Sequence, residues 1–216
     1  MPPFFIMSNK LLTVFNGATT PWYLAGGAPT PLAAYQAKGA ASLAASYVNL
    51  VTPGTYDAYA GIAPTLGANG WAFDGNAYLN TGIIPNTGYS ALVQFINHTN
   101  NGWIIGSRNA AGTLVFGVAS YVTSPLSLFA NGTSINIPTA SGAGNYAVTD
   151  YGYIDGSVVT ASLSNGGAPT QIMIGALNNN GSPAAKFIGS IVAVVIYSVN
   201  LDASQIAAIA AAMAAL

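Results

Sequence analysis

The residues able to carry acid–base chemistry are few in this sequence of 216 residues. It has no glutamate, and its acidic side chains are five aspartates: Asp57, Asp74, Asp150, Asp155 and Asp202. Hydrolysis of a glycosidic bond usually needs two carboxyl groups roughly 5–10 Å apart, one to donate a proton and one to attack or to activate water. No two of the aspartates are two or four residues apart, so no single strand presents such a pair. The sequence therefore predicts that the protein is not an enzyme.

Nucleophilic and metal chemistry find little support in the sequence. A Ser-His-Asp triad would have to use His98, which we place at the surface in a hairpin tip, and no G-x-S-x-G elbow is present. The absence of cysteine excludes thiolate chemistry, disulfides and structural zinc of the cysteine type. We expect no cofactor, with calcium left open because it takes oxygen ligands from loops. The calcium candidates are Asp57, Asp74 and Asp150.

Sugar binding would use a different set of residues. An aromatic ring packs against the apolar face of a pyranose, and amide or carboxylate groups bind its hydroxyls. Tryptophan or tyrosine lies close to asparagine in several predicted loops at the rim of the fold. The candidates are Asn100, Asn101, Trp103, Tyr121, Asn178, Asn179 and Asn180. The alternative is structural, since Trp103 begins a predicted strand and asparagine is common in turns.

Charge is scarce throughout the chain. Charged residues make up 4 % of the sequence, against about 25 % in ordinary soluble domains. Four basic residues, Lys10, Lys38, Arg108 and Lys186, are too few to neutralise a phosphate backbone, so nucleic acid is excluded as a partner. No apolar run reaches the roughly 20 residues of a membrane span. A surface without charge repulsion favours self-association or contact with another protein.

From Trp71 onward, short β-rich runs alternate with turn residues, as in an antiparallel sandwich. Asn101-Gly102, Asn131-Gly132 and Asp155-Gly156 predict two-residue hairpin turns. The run from Ile191 to Ile196 is apolar at every position, which predicts a strand covered on both faces. Residues 1–70 are richer in alanine, proline and glycine and are predicted to form an N-terminal arm packed on or anchoring the sandwich of residues 71–216. Residues 33–50 have a loose helical spacing that Gly39 interrupts.

The C-terminal segment predicts a short helix with a defined start. Asp202 and Gln205 have the spacing of a capping box, and Leu201 with Ile206 can form a hydrophobic staple. Ile206, Ile209, Ala210 and Met213 then fall on one face, so we expect the helix to pack on the sandwich.

Three blocks of the sequence resemble concanavalin A-like, laminin G-like jelly rolls. They are GWAFDGNAYLNTGIIPNTGYSALVQF (residues 70–95), YGYIDGSVVTA (residues 151–161) and FIGSIVAVVIYSVNLDASQIAAI (residues 187–209). The resemblance implies an all-β, two-sheet antiparallel jelly-roll sandwich with a short C-terminal helix. Residues 42–71 are similar to a segment that precedes this jelly roll in phage and other virus-associated structural proteins.

The sequence leaves three functions to compare. The first is a structural subunit of a virion or surface assembly, such as a capsid decoration, fibre or filament protein. We expect such a subunit on a virion or extracellular surface, and the N-terminal residues do not form a convincing signal peptide. The second is a glycan-binding module for reception or adhesion that uses the rim loops. A polysaccharide hydrolase is a remote third, since only some relatives of this fold carry the paired carboxylates.

Overall fold

The computed structural model describes residues 20–120, 126–130, 133–137, 143–149, 151–160, 163 and 167–216. Tyr121 and Asp150, two of the candidates above, lie outside the described residues. In the described part the chain forms two sheets, a 3-10 helix (Trp22–Gly27) and the α-helices α1 (Leu43–Ser46) and α2 (Ala203–Ala214). Neither α-helix in this part has the length and hydrophobicity needed to cross a membrane.

Sheet I contains eight of the described strands. They are β1 (Ala33–Gln36), β3 (Thr65–Gly67), β4 (Gly70–Asp74), β6 (Ser90–Ile96), β11 (Gly144–Val148), β12 (Gly152–Ile154), β13 (Ser157–Thr160) and β17 (Ile188–Tyr197). Their order is β13-β12-β11-β6-β17-β4-β3, and β1 also pairs with β17. Every pairing in this sheet is antiparallel.

Sheet II contains nine strands in the described part of the chain. They are β2 (Tyr59–Ile62), β5 (Tyr78–Asn80), β7 (Gly102–Arg108), β8 (Val115–Ser120), β9 (Leu126–Ala130), β10 (Thr133–Ile137), β14 (Met173–Ile174), β15 (Leu177–Asn179) and β16 (Ser182–Ala184). The main path runs β10-β9-β8-β7-β14-β5-β2. The hairpin of β15 and β16 joins β7 through a parallel pairing.

The main core lies between the two sheets. Alternation along β6 places Val93 and Phe95 in this core, while Leu92 next to Val93 faces the other side of sheet I. Sheet II contributes Ile105 and Val118 from paired positions on β7 and β8. Strand β17 alternates in the same way and is buried on both faces, which confirms the prediction from its uninterrupted apolar run.

The outer face of sheet I carries a second apolar layer. Paired positions across β1, β17, β6, β11, β12 and β13 form one row: Ala34, Val195, Leu92, Ala147, Tyr153 and Val158. Helix α2 covers this row with Ile206, Ile209 and Met213. Its start is the predicted one, because Asp202 and Gln205 form the capping box. The helix leaves the last residue of the row uncovered, since Val158 remains 56 % exposed.

The N-terminal part contributes strands to both sheets from residue 33 onward, so the boundary set at residue 70 falls within the β3–β4 hairpin. The helical interpretation of residues 33–50 is wrong for most of that stretch. Ala33–Gln36 is a strand because it pairs with β17 and buries Tyr35 in the core. Only a single turn, α1, forms after Ser42, whose hydroxyl caps the backbone N–H of Ala45 at 3.1 Å.

The fold class predicted from the sequence, a two-sheet jelly-roll sandwich with a short C-terminal helix, is confirmed. The Asp155-Gly156 turn is also confirmed, since both residues take positive φ between β12 and β13. The prediction of a two-residue hairpin turn at Asn101-Gly102 is wrong. Gly102 already belongs to β7, and the positive φ of this longer connection is at Asn97.

Candidate functional site

A groove opens where α2 begins and the β12–β13 hairpin ends. Its volume is about 350 Å³, and it is lined by Tyr151, Tyr153, Val158, Leu201, Asp202 and Ala203. This volume lies within the range of small-molecule sites, roughly 300–1,000 Å³. The groove therefore lies at the uncovered end of the apolar row on the outer face of sheet I.

The hairpin side of the groove is held by backbone geometry. The N–H of Tyr151 donates to the hydroxyl of Thr149 at 2.9 Å, and the N–H of Thr149 donates to the carbonyl of Tyr151 at 2.9 Å. This closed pair fixes the backbone of Tyr151, whose side chain is 45 % exposed. At the other end of the hairpin, Gly156 approaches α2 so closely that a Cβ there would lie 2.8 Å from the Cα of Ala207.

The helix side of the groove is held by a buried serine. The hydroxyl of Ser90 donates to the carbonyl of Val199 at 2.8 Å and accepts the N–H of Leu201 at 3.0 Å. These bonds position the segment that leads into α2. Asp202 then caps the helix through Oδ1, which accepts from Ser204 Oγ at 2.6 Å and from the N–H of Gln205 at 2.9 Å. Neither bond uses Oδ2.

Two titratable groups of the groove have shifted pKa values. Hydrogen bonds from Ser204 and Gln205 lower the pKa of Asp202, so this carboxylate is ionised at neutral pH. Burial raises the pKa of Tyr153, and the nearby Tyr151 and Asp202 raise it further. The hydroxyl of Tyr153, which lies on the side of the groove, is therefore neutral at physiological pH.

Tyr153 brings a polar group to the side of the groove. Only 3 % of its surface is exposed, and no hydrogen bond to its hydroxyl is formed by any described residue. The hydroxyl oxygen itself is not fully buried, so at the edge of the groove it is available to water or to a ligand. Together with Oδ2 of Asp202, which accepts neither of the two capping bonds, it gives the groove one donor and one acceptor beside an exposed tyrosine ring.

The rim residues predicted from the sequence lie at opposite ends of β7, because Asn100 and Asn101 precede its first residue, Gly102, whereas Asn179 pairs with its last residue, Arg108. Asn100 donates from Nδ2 to the carbonyl of Lys186 at 2.8 Å, and its Oδ1 accepts the N–H of Ile188 at 2.7 Å. Both ends of this amide therefore join the β6–β7 loop to the segment after β16. Asn101 is exposed beside it. Trp103 is only 5 % exposed and packs with Val115, Ala119 and Leu177 on the outer face of sheet II.

The asparagines of the β15–β16 hairpin also have structural contacts. Asn178 is buried, donating to the carbonyl of Gln171 at 2.8 Å and accepting the N–H of Gly181 at 2.7 Å. Asn179 accepts a hydrogen bond from the guanidinium of Arg108 at 2.9 Å. Asn180 takes the left-handed conformation in the turn, with φ of 50°. The rim therefore offers a ligand fewer uncommitted polar groups than the groove does.

The two calcium candidates within the described residues stabilise turns. Asp57 accepts the N–H groups of Asn49 and Gly54, and Asp74 accepts those of Asn76 and Ala77. Hydrogen bonds to Asn76 and Ala77 lower the pKa of Asp74. No cluster of three or more metal-binding side chains occurs in the described part of the chain.

The placement of His98 at the surface was wrong. It is buried, it stacks on Phe187 with ring centroids 5.6 Å apart, and its ring nitrogen contacts the carbonyl of Asn100. The aromatic ring packs inward because the connection after β6 folds over the end of the core, where Phe95 also meets the histidine edge-on.

A second surface with exposed tyrosines lies at the edge of sheet II. Tyr59 is 52 % exposed, and its hydroxyl is hydrogen-bonded to Gln171, which also binds the N–H of Gly82 and the side chain of Asn80. Tyr56 adopts positive φ nearby, and its carbonyl accepts the buried hydroxyl of Tyr35 at 2.5 Å. The polar groups of this surface are hydrogen-bonded to one another, and in this respect the surface differs from the groove.

Comparisons with known proteins identify the fold. No protein-family model matches the chain, and no curated protein has a significantly similar sequence. A Trypanosoma rangeli sialidase, solved in complex with 2,3-difluorosialic acid, superimposes with a TM-score of 0.58 at 12 % identity. The match covers 83 % of this chain but 32 % of the sialidase, so the chain spans about a third of that enzyme.

A second similar structure is a single domain of comparable size. Domain 4 of AbnA, a GH43 extracellular arabinanase from Geobacillus stearothermophilus in complex with arabinotriose, superimposes with a TM-score of 0.56 at 16 % identity. The match covers 84 % of this chain and 98 % of that domain. At these identities the likeness concerns the fold. The protein is thus a two-sheet jelly-roll sandwich, whereas the link to phage structural proteins stays a prediction.

Proposed function

We propose that the protein is a carbohydrate-binding module and that the groove beside α2 receives a sugar residue. One observation carries this proposal, namely the Tyr153 hydroxyl, which no described residue hydrogen-bonds and which belongs to a residue that lines the groove together with Asp202. A sugar hydroxyl can bind both groups, since it donates to Oδ2 of Asp202 and accepts from Tyr153. The exposed ring of Tyr151 and the side chain of Val158 supply the apolar contact that the face of a pyranose needs.

The structural neighbours support a carbohydrate ligand. The arabinanase domain was solved with arabinotriose and the sialidase with a derivative of sialic acid. Both structures therefore contain a bound sugar or sugar derivative, although this chain matches only a third of the sialidase. The match to nearly all of domain 4 supports a role as a separate module.

We further propose that the protein binds without catalysing a reaction. Hydrolysis by the usual route requires two carboxyl groups on either side of the scissile bond. Of the described residues that line the groove, Asp202 supplies the carboxylate, and its Oδ1 is committed to the helix cap. A fixed carboxylate of lowered pKa is suited to accept hydrogen bonds rather than to deliver a proton.

A glycan array with the purified protein and two variants tests the proposed function. Tyr151→Ala removes the exposed ring from the groove and should reduce the signal of bound glycans about tenfold. Tyr59→Ala is the matched control, because it removes a similarly exposed tyrosine from the far edge of sheet II and should leave the signal unchanged. Binding that depends on Tyr59 or Trp103 and not on Tyr151 would contradict the groove as the site.

Assembly is a second candidate function. Its support is the uncharged surface, on which exposed apolar side chains remain at the edges of both sheets, among them Val158, Val159, Tyr59 and Ile62. Sedimentation velocity over a hundredfold range of concentration tests it. Concentration-dependent multimers are expected for an assembly subunit, and a monomer over the whole range would exclude self-association. A structural role in a virion remains a prediction from the sequence resemblance.

A further inference from the structure

We infer that the groove selects uncharged sugars over acidic ones, and that Asp202 is the residue that determines this specificity. The inference rests on the proposed function and names the ligand class of the same site. It distinguishes the groove from a site for sialic or uronic acids, both of which carry a carboxylate.

The charged side chains of the described residues at and beside the groove are acidic. Asp202 lines it, and Asp155 lies in the turn of the adjoining β12–β13 hairpin. The cations in the described part of the chain lie elsewhere. Lys38 follows β1, Arg108 binds Asn179 on sheet II, and Lys186 lies 5.8 Å above the ring of Tyr78.

Distance makes Lys38, the cation that follows a strand of sheet I, ineffective at the groove, and Arg108 and Lys186 contact residues of sheet II. Strands β1 and β12 are separated by three strands of sheet I, which places Lys38 about 19 Å from the hairpin. Charges farther apart than about 8 Å are largely screened at physiological salt. Among the described residues, no cation would therefore compensate the charge of Asp202 that an acidic sugar meets in the groove.

The geometry of Asp202 fixes where the repulsion acts. Its Oδ1 is turned to the helix N-terminus by Ser204 and Gln205, so Oδ2 is the oxygen left for a ligand. An uncharged sugar hydroxyl donates to this oxygen, whereas a carboxylate has no proton to donate. Two like charges about 4 Å apart weaken binding about fivefold even at the dielectric constant of water.

Matched pairs of glycans that differ only by a carboxylate test the inference. Immobilised glucosides and galactosides are compared with the corresponding glucuronides and galacturonides, in which a carboxylate replaces the hydroxymethyl group at C6. The wild-type protein should bind the neutral member of each pair at least about fivefold more tightly. Asp202→Asn should bring this ratio close to one, because the amide keeps Oδ1 for the cap and removes the charge.

Asp57→Asn provides the matched control. Both hydrogen bonds to Asp57 also end on Oδ1, so the substitution removes one negative charge from a loop outside the groove and should leave the ratio unchanged. An acidic preference that is lost in Tyr151→Ala would overturn the inference while supporting the groove as the site. A neutral preference that persists in Asp202→Asn would overturn the role of Asp202. Failure to bind any member of either series would overturn the inference together with the proposed function.

Discussion

Replacing Tyr153 with phenylalanine removes one oxygen atom, and we expect this change to weaken ligand binding while leaving the stability of the fold unchanged. The substitution removes the hydroxyl at the side of the groove and keeps the ring, which packs in the layer beneath α2 with Ala147 and Leu92. Most buried tyrosines lose stability in such a change, because their hydroxyl leaves a hydrogen-bond partner unpaired. Tyr153 differs, since no described residue is hydrogen-bonded to its hydroxyl.

The expected magnitudes follow from the contacts. The free energy of unfolding should change by less than about 0.5 kcal/mol, the usual range for substitutions that break no specific interaction. The affinity for a neutral glycan should fall about two- to thirteenfold, the equivalent of one neutral hydrogen bond of about 0.5–1.5 kcal/mol. Tyr35→Phe is a control with the opposite expectation, because the hydroxyl of Tyr35 donates a hydrogen bond to the carbonyl of Tyr56 at 2.5 Å. It should lose about 1 kcal/mol of stability and keep full affinity.

Urea unfolding followed by tryptophan fluorescence measures the stability of both variants, and titration calorimetry measures their affinity. The chain has three tryptophans to report unfolding. A loss of more than about 1 kcal/mol in Tyr153→Phe would show that the hydroxyl has a structural partner. Unchanged affinity in the same variant would show that no ligand uses it, and either result would refute the reasoning.

Four further predictions follow from the contacts around the groove and in the core. Gly156→Ala should abolish glycan binding measured by calorimetry while the protein stays folded, because a Cβ would collide with the Cα of Ala207 and push the hairpin from α2. Ser46→Ala should lower the free energy of unfolding in urea by about 1–3 kcal/mol, since it leaves the buried indole N–H of Trp71 without its partner at 2.7 Å. Glycan affinity should be constant from about pH 5 to pH 9, because the lowered pKa of Asp202 and the raised pKa of Tyr153 keep both groups in one state. Thermal unfolding should show the stabilising effect of Asp202 in full above about pH 4 and lost as the pH falls through its lowered pKa, and the substitution Asp202→Asn should remove this acid dependence.

The sequence predicted the elements whose signals are local. The capping box of α2 depends on residues three positions apart, and the Asp155-Gly156 turn on two adjacent residues. Both are correct because short-range backbone chemistry determines them. The central position of β17 was also predictable, since only a strand covered on both faces can bury every side chain from Ile191 to Ile196.

The groove could not be found in the same way. It forms between a hairpin and a helix that lie about 50 residues apart in the sequence, and its shape depends on where α2 stops covering the outer row of sheet I. In the sequence Tyr153 resembles any strand tyrosine, and only the structure shows that no described residue hydrogen-bonds its hydroxyl. The role of Asn49 was also not apparent from the sequence. Its side chain makes four hydrogen bonds, and those to Leu32 and Ala34 join it to a segment that only the fold brings close. The other two are to Val51 and Thr55.

The most direct test of the central claim is a calorimetric titration of the wild-type protein and of Tyr151→Ala with the neutral oligosaccharide that gives the strongest array signal. We expect saturable binding to the wild type at one site and an affinity about tenfold lower in Tyr151→Ala. The affinity of the Tyr59→Ala control should equal that of the wild type. Equal affinity in the wild type and in Tyr151→Ala would contradict the groove as the sugar site.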